Sequence, residues 1–443
     1  MTVTESPQLS TDEIVRLCRE HTIFSWSAQA SVNPIVIDHA EGIYFWDADG
    51  KRYIDFNSQL MSVNIGHGDQ RVADAIAEQA HKLAFAAPQF ATEVRARLGS
   101  LLAELTPGDL NHFFFTLGGS EANENALRMA RMYTGRQKVM ARYRSYHGAT
   151  AGSMSVTGDP RRWASEPAVP GVVHVMDPYH WGSVEPEPVD AHLAYLEEVI
   201  NYEGPDKIAA FILETVTGTN GILIPPDGYL QGVRELCTKY GIVMICDEVM
   251  AGFGRTGRWF AVDHWDVVPD LMTMAKGLTS SYMPLGAVAV SDRITAHFAD
   301  NVYFGGLTYS AHPMSCAAAI AAINVLRDDD LVGNAARLAP TLSGLLDDLQ
   351  AKHPSVGTTR SIGLFGIVEL VRSRDPYVPL TGYNDSSPEV AAFDRRLKAN
   401  GLYTMNHWNT FFTNPPLCIT EAQLREAFAI IDAALEDTDA AIR

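Results

Sequence analysis

The stretch "IVMICDEVMAGFGRTG" (residues 242–257) admits two readings. Its first five residues are continuously apolar, as in a strand buried on both faces of a parallel sheet. Its last six match GxGxxG, the glycine pattern that opens a dinucleotide-binding helix after a strand. That second reading requires a helix directly after the glycines and an acid about 20 residues on. Instead "RWFAVDHWDVVPD" follows, with Pro269 near its end, and the chain from residue 277 reads "GLTSS". The glycines are therefore expected to shape a loop, and a nicotinamide oxidoreductase stays only as a remote alternative.

Outward from this strand the same pattern recurs. Short apolar runs stand at "HFFFT" (112–116), "KVMAR" (138–142), "GVVHV" (171–175), "AAFILE" (209–214), "LMTMA" (271–275) and "GAVAVS" (286–291). Helical stretches such as "SEANENALRMARMY" (120–133) and "GYLQGVRELCTKYG" (228–241) separate several of them. Apolar strands alternating with helices predict an α/β fold, a mostly parallel seven-stranded sheet covered on both faces, over residues 71–325. Residues 326–443 predict a smaller α+β unit: a helix at 334–352, strands near "GLFGIVEL" (363–370) and a final helix at 420–442. Residues 1–70 carry a capping box, Ser10 with Glu13, and two strands in 42–56 around the turn Asp49-Gly50. This segment is expected to join the C-terminal unit as one composite small domain. Ligands of such sheets bind at the carboxyl ends of the strands.

The chain has 443 residues and a net charge of −19. That charge argues against nucleic acid and anionic membranes as partners. No apolar run reaches the ~18 residues of a membrane span, and the N-terminus lacks the basic and apolar regions of a signal peptide. The five cysteines are scattered, without metal-ligand spacing, which suits a cytoplasmic protein.

The polar residues after each strand make a set. Gly118, Gly119 and Ser120 lead into a helix, whose free N–H groups and dipole suit an anion. Tyr146, His147 and Gly148 follow the next strand, offering an aromatic face. Glu214 and Asp247 end two further strands, where a carboxylate needs a cation or strong donors; Lys276 or a protonated ligand nitrogen could serve Asp247. Lys276 is one of eight lysines and lies in "DLMTMAKGLTSSYMPLGAV" (270–288), which has no other charge after Asp270. Desolvation there lowers an amine's pKa and makes it a nucleophile for carbonyls. Phosphate cradle, aromatic face, aspartate and nucleophilic lysine together suit pyridoxal 5'-phosphate.

With these motifs the chain resembles a class III (ω-type) aminotransferase of the fold type I pyridoxal-phosphate family, over about residues 23–436. The resemblance rests on "GGSEANENALRMAR", "YHG", "CDEVMAGFGRTGRWFA", "MAKG" and "LTYSAHPMSCAAA". It implies that Lys276 binds the cofactor and shuttles the proton, and that Asp247 keeps the pyridine nitrogen protonated. Val249 would pack on the ring face opposite Tyr146, and Gly119 and Ser120 would hold the phosphate. Glu214 would sit at the cofactor edge near Tyr146 and His147. Thr308 would reach the phosphate of a neighbouring subunit, so the active unit would be a homodimer or a tetramer of dimers. "FSWSAQASVNP", "SQLMSVNIGHG", "GDPRRW" and "FFTNPPLCITEAQLREA" look most like taurine and related ω-amino-acid aminotransferases. The substrate pocket would then include Trp26, Leu60, Tyr146 and residues near 407. Those relatives carry an arginine just before a Trp-Asn pair; here it is His407, expected to bind anions only when protonated, with Arg162 as the alternative clamp. The implied reaction moves a terminal amino group from a taurine- or β-alanine-like donor to a 2-oxo acid such as pyruvate or 2-oxoglutarate, ping-pong through pyridoxamine phosphate. A racemase, decarboxylase or lyase on the same fold is the alternative.

Overall fold

The computed structural model describes residues 9–183 and 185–442; residues 1–8 of the N-terminal segment lie outside it. Its centre is a seven-stranded sheet: β1 (His112–Thr116), β2 (Lys138–Arg142), β3 (Val172–Val175), β4 (Ile208–Glu214), β5 (Val243–Asp247), β6 (Leu271–Met274) and β7 (Gly286–Val290), in the order β1-β7-β6-β5-β4-β2-β3. Strands β3, β2, β4, β5 and β6 pair in parallel. Only β7 runs against its neighbours β6 and β1.

Every residue of β4, β5, β6 and β7 is buried, because both faces are covered. Successive side chains divide between two cores, as the period of two dictates. Ala210 and Ile212 of β4 pack with Ala122, Ala126 and Ala130 of the helix Gly119–Thr134. Phe211 and Leu213 face the other way, into the core that holds Leu230, Val233 and Cys237 of the helix Tyr229–Tyr240. The alanines matter because a helix lying across several strands needs a flat face.

Two smaller sheets flank this one. Strands Ile37–Glu41, Tyr44–Asp47 and Arg52–Asp55 form an antiparallel set, and the C-terminal Leu402–Tyr403 adds to it in parallel, against Ile54 and Asp55. The expected turn is present, with Gly50 at φ 80°. A second antiparallel sheet holds Val356–Ile362, Phe365–Arg374, Thr410–Thr413 and Asn406–His407. The stretch 363–370, read as strand, begins on a hairpin turn at Gly363, φ 61°. Ser10 caps the first helix by accepting from Glu13 N at 3.3 Å, but Glu13 turns its carboxylate to Arg16, so the reciprocal half of the box is not made. No helix among the described residues is long and apolar enough to cross a membrane.

The glycines of 252–257 do form a loop. Gly254 and Gly257 have φ of 88° and 83°, and a short 3-10 turn, Ala261–His264, follows instead of a long helix. A Cβ on Gly252 would stand 2.8 Å from the Glu248 carbonyl oxygen.

Candidate active site

Parallel registry brings the strand ends together. Glu214 of β4 pairs with Asp247 of β5, and Asp247 with Thr273 of β6. Lys276 follows three residues later. These ends open into a cavity of about 870 Å³ lined by Gly119, Ser120, Tyr146, His147, Glu214, Asp247, Val249 and Lys276. Trp26, Leu60 and His407 line it as well.

Asp247 is buried and takes three hydrogen bonds. Its Oδ2 accepts from Asn123 Nδ2 and from His147 Nδ1, each at 2.8 Å, and its Oδ1 accepts from Val249 N at 3.0 Å. Asn123 is fixed in turn: its amide also donates to the His147 carbonyl at 2.7 Å and its Oδ1 accepts from Thr273 Oγ1 at 2.7 Å. These donors satisfy the carboxylate, and of the two partners open to it the Lys276 pairing is not made: no carboxylate among the described residues stands within ion-pair distance of Lys276. Burial instead lowers the Lys276 pKa below the ordinary lysine range, against the pull of Asp247 and Glu214.

Glu214 holds the next loop. Its Oε1 accepts from Tyr146 N at 2.9 Å and its Oε2 from Gly218 N at 2.8 Å. Burial raises its pKa, partly offset by His147. At the head of the helix Gly119–Thr134 no side chain caps the first turn. Glu121 accepts from Leu117 N and Glu124 from Ser153 N, so neither acid blocks the helix terminus. Ser120 Oγ accepts from Ala149 N at 3.0 Å, tying that terminus to the Tyr146–Gly148 loop.

Two expectations for the substrate end need correction. Arg162 does not line the cavity; it donates to the Gly158 carbonyl at 2.8 Å and pairs with Glu166 at 3.3 Å. Arg161 lines it instead. Buried Asp159 accepts from Arg161 Nε at 2.8 Å and also from Nη2, which further donates to Thr219 Oγ1 at 2.8 Å. The guanidinium lies 3.7 Å from the centre of the Tyr146 ring and 5.4 Å from that of Trp26. His407 does line the cavity, but burial, with Arg161 nearby, pushes its pKa down to about 4. It is neutral at mildly acid pH, so the gain in anion binding that protonation there would bring is not available. Its ring stacks on Trp408 at 4.1 Å, and its buried Nε2 has no partner. Thr308 lies outside the cavity, exposed on the surface of this chain.

The sequence profile described as "Aminotransferase class-III" matches residues 26–435. The chain belongs to the class-III aminotransferase family. Its relatives include the putrescine–pyruvate aminotransferase of Pseudomonas aeruginosa, 34% identical over 98% of each chain. Among solved structures, the taurine:2-oxoglutarate aminotransferase of Bifidobacterium kashiwanohense, in complex with PLP and glutamate, superposes with a TM-score of 0.96 at 41% identity, covering 99% of this chain and all of the other. An (S)-enantioselective ω-transaminase from Thermomicrobium roseum gives 0.91 at 37%, covering 97% and 99%.

Class-III transaminases work with pyridoxal phosphate, and the residues of this transaminase fit that group. A Cβ on Gly119 would meet Val249 Cγ1 at 2.8 Å, so glycine is what lets the helix head lie this close to Val249. Asp247 presents a fixed anion, and Lys276 an amine without a carboxylate partner. Sequence reading missed Asn123, Thr273 and Arg161. A threonine inside the apolar run "LMTMA" was a usable signal, since a buried hydroxyl needs a partner. Asn123 sits one turn after Ser120, and nothing local separates Arg161 from Arg162.

Proposed function

We propose that this transaminase takes the amino group from a terminal amine of the taurine or β-alanine type and passes it to a 2-oxo acid such as pyruvate or 2-oxoglutarate, in two half-reactions. The observation that carries the donor reading is Arg161, fixed over Tyr146 with Nη1 free of hydrogen bonds among the described residues. Its Nε and Nη2 belong to Asp159 and Thr219, so one side of the guanidinium remains for an anion. Trp26 and Leu60 would add apolar walls.

Gly119, Ser120 and the free amides of their helix would hold the phosphate, and Asp247 would face the ring nitrogen from its clamp of Asn123 and His147. When bound, the cofactor supplies a carbonyl for amines and a ring that accepts electron density from the substrate carbon. Lys276 would do the proton work. Desolvation favours its neutral amine, which would take the proton from the substrate carbon and return it. Tyr146, held through its backbone by Glu214, and Val249 would confine the ring between them.

The active unit would be a homodimer or a tetramer of dimers, with Thr308 of each chain serving its partner's phosphate. Exposed Phe304, Tyr309, Val302 and Phe85 around Thr308 support this, since single chains rarely leave such a patch to water. Five unpaired cysteines support a cytoplasmic setting. The small domain would comprise residues 1–70 with 326–443, as the strand pairing of Ile54 with Leu402 supports.

The test is a donor panel with pyruvate and 2-oxoglutarate, measuring both products. One amino product for each oxo product supports transfer. Turnover of the donor without amination of the acceptor, as a decarboxylase or lyase would give, overturns it. Arg161→Ala should raise the Michaelis constant for β-alanine about ten-fold or more, the cost of losing a hydrogen bond to a charged group, and leave uncharged amines nearly unchanged.

A further inference from the structure

Between the first small sheet and the helix that starts at Gln70, the chain crosses the cavity in a conformation that L-residues avoid. Ser58, Gln59 and Met61 have φ of 47°, 57° and 55°. Such a run persists only where its surroundings enforce it, and strain of this kind collects at functional sites. Leu60, Met61 and Ser62 of this run line the cavity. Leu60 is nevertheless 55% exposed, so the backbone and not side-chain packing holds it in place.

Two buried groups hold that backbone. The Asp55 carboxylate, with no exposure at all, ends the strand Arg52–Asp55. Both of its oxygens accept from Gln59 N at 2.9 Å, and Oδ2 also accepts from Gln59 Nε2 at 3.0 Å and lies 2.8 Å from His67 Nε2. On the other side stands Arg255, from the glycine-rich loop 252–257. Its Nη2 donates to Ser58 Oγ at 3.0 Å, while its Nη1 is anchored on the carbonyls of Leu364 at 3.1 Å and Pro415 at 2.6 Å. Ser58 Oγ completes the chain by donating to the Asn414 carbonyl at 2.8 Å.

We propose that Asp55 is a positioning residue that fixes the 57–62 wall of the cavity and thereby decides which amine donors fit, with His67 steadying the carboxylate. Asp55 itself does not line the cavity. The chemistry is simple: a charged acceptor at the N–H of Gln59 offsets a backbone conformation that relaxed chain would leave, and relaxation would carry Leu60 and Met61 away from the donor. This rests on the reading of the cavity as the amine-donor pocket.

The experiment uses the full-length, cofactor-loaded protein with Asp55→Asn and, as a milder change, His67→Gln. The amide in Asp55→Asn keeps one acceptor oxygen for Gln59 N but puts an N–H donor where Oδ2 met Gln59 Nε2 and His67 Nε2. Hydrogen exchange of residues 57–62 should quicken ten-fold or more in Asp55→Asn and about three-fold in His67→Gln, with exchange of 243–247 unchanged. Steady-state kinetics with β-alanine and with 2-phenylethylamine should show KM rising for the compact donor and the preference between the two shrinking, with kcat little changed. Exchange that rises across the whole chain, or an equal fall of kcat for both donors at constant KM, overturns the proposal. If Asp55→Asn does not fold, His67→Gln decides by the same two criteria. If the native enzyme turns over neither amine, the donor reading fails and the exchange at 57–62 alone decides the role of Asp55.

Discussion

Lys276 sits in the left-handed region, at φ 44°, a conformation that a lysine adopts only under constraint. Strain, desolvation and the lack of a carboxylate partner among the described residues all fall on one amine, and each favours reactivity over stability. Lys276→Ala should therefore abolish multiple turnover while the protein stays folded and still binds the phosphate; full activity in the purified variant would refute the role. Asp247→Asn keeps the size but loses the fixed charge, which in catalytic sites costs about 10²–10³ in rate. Stopped-flow half-reactions followed through the cofactor's visible absorbance check it. His407 gives a pH prediction. Held near 4 against an ordinary 6.5, it is neutral in the folded protein where the unfolded chain would already bind a proton. Its stability contribution is full above about pH 6.5 and is lost as pH falls toward 4, by roughly 3 kcal/mol at the end of that window. His174 is pushed to about 4 by burial and shares the window. His264 and His312 are also shifted down by burial, so His407→Gln should remove one share of the acid destabilisation between pH 6.5 and 4 in thermal melts and leave the rest. The preference for anionic donors should be the same at pH 6.5 and 8.5.

At the scale of elements, the helix Gly119–Thr134 does two jobs at once. Its alanines lie flat across the sheet, and its uncapped head opens on the cavity. Both depend on small residues, and Gly119 is the tightest of them. Gly119→Ala would force Val249 aside, since its Cβ would fall 2.8 Å from Val249 Cγ1. Overpacking of this kind costs about 1–3 kcal/mol; taken up by Val249 at the wall of the cofactor site, it should lower the affinity for pyridoxal phosphate about five-fold or more. Equilibrium titration of the apoprotein measures it, and unchanged affinity would mean that the phosphate lies elsewhere. The loop after β2 is built from the other side: Glu214, the last residue of β4, fastens Tyr146 by its backbone, so two strands that are neighbours in the sheet set one aromatic ring.

At the scale of the whole molecule, the small-residue segment "CAAAIAAI" belongs to the helix Pro313–Asp328, which packs inside this chain against the helices Gln70–Lys82 and Glu93–Leu105. The stretch before it, Val302 to Tyr309, carries the exposed apolar side chains Val302, Phe304 and Tyr309. If Thr308 serves the partner's site, Thr308→Ala and Lys276→Ala proteins should complement each other. Mixed dimers of the two would hold one site with both lesions and one with neither. Activity above that of either variant alone is expected, and freely exchanging subunits without such a gain would show that the site is not shared.

The alternation of strand and helix, and the strand-end residues that make the site, were legible because both follow from local periodicity. A strand buried on two faces is apolar along most of its length, and a charged residue at its end marks where it meets the cavity. Thus Glu214, Asp247 and Lys276 could be read off the chain. Whether Arg161 or Arg162 faces the cavity could not, because both stand in the same short turn and only the buried Asp159 selects one. The charge of His407 was equally out of reach: it depends on burial and on Arg161, 246 residues earlier in the chain. The run at Ser58–Met61 reads as ordinary sequence, for its strain is held by Asp55, His67 and Arg255 from three separate segments. Sequence determined what is periodic; the tertiary structure decided which groups are desolvated and which distant charges face them.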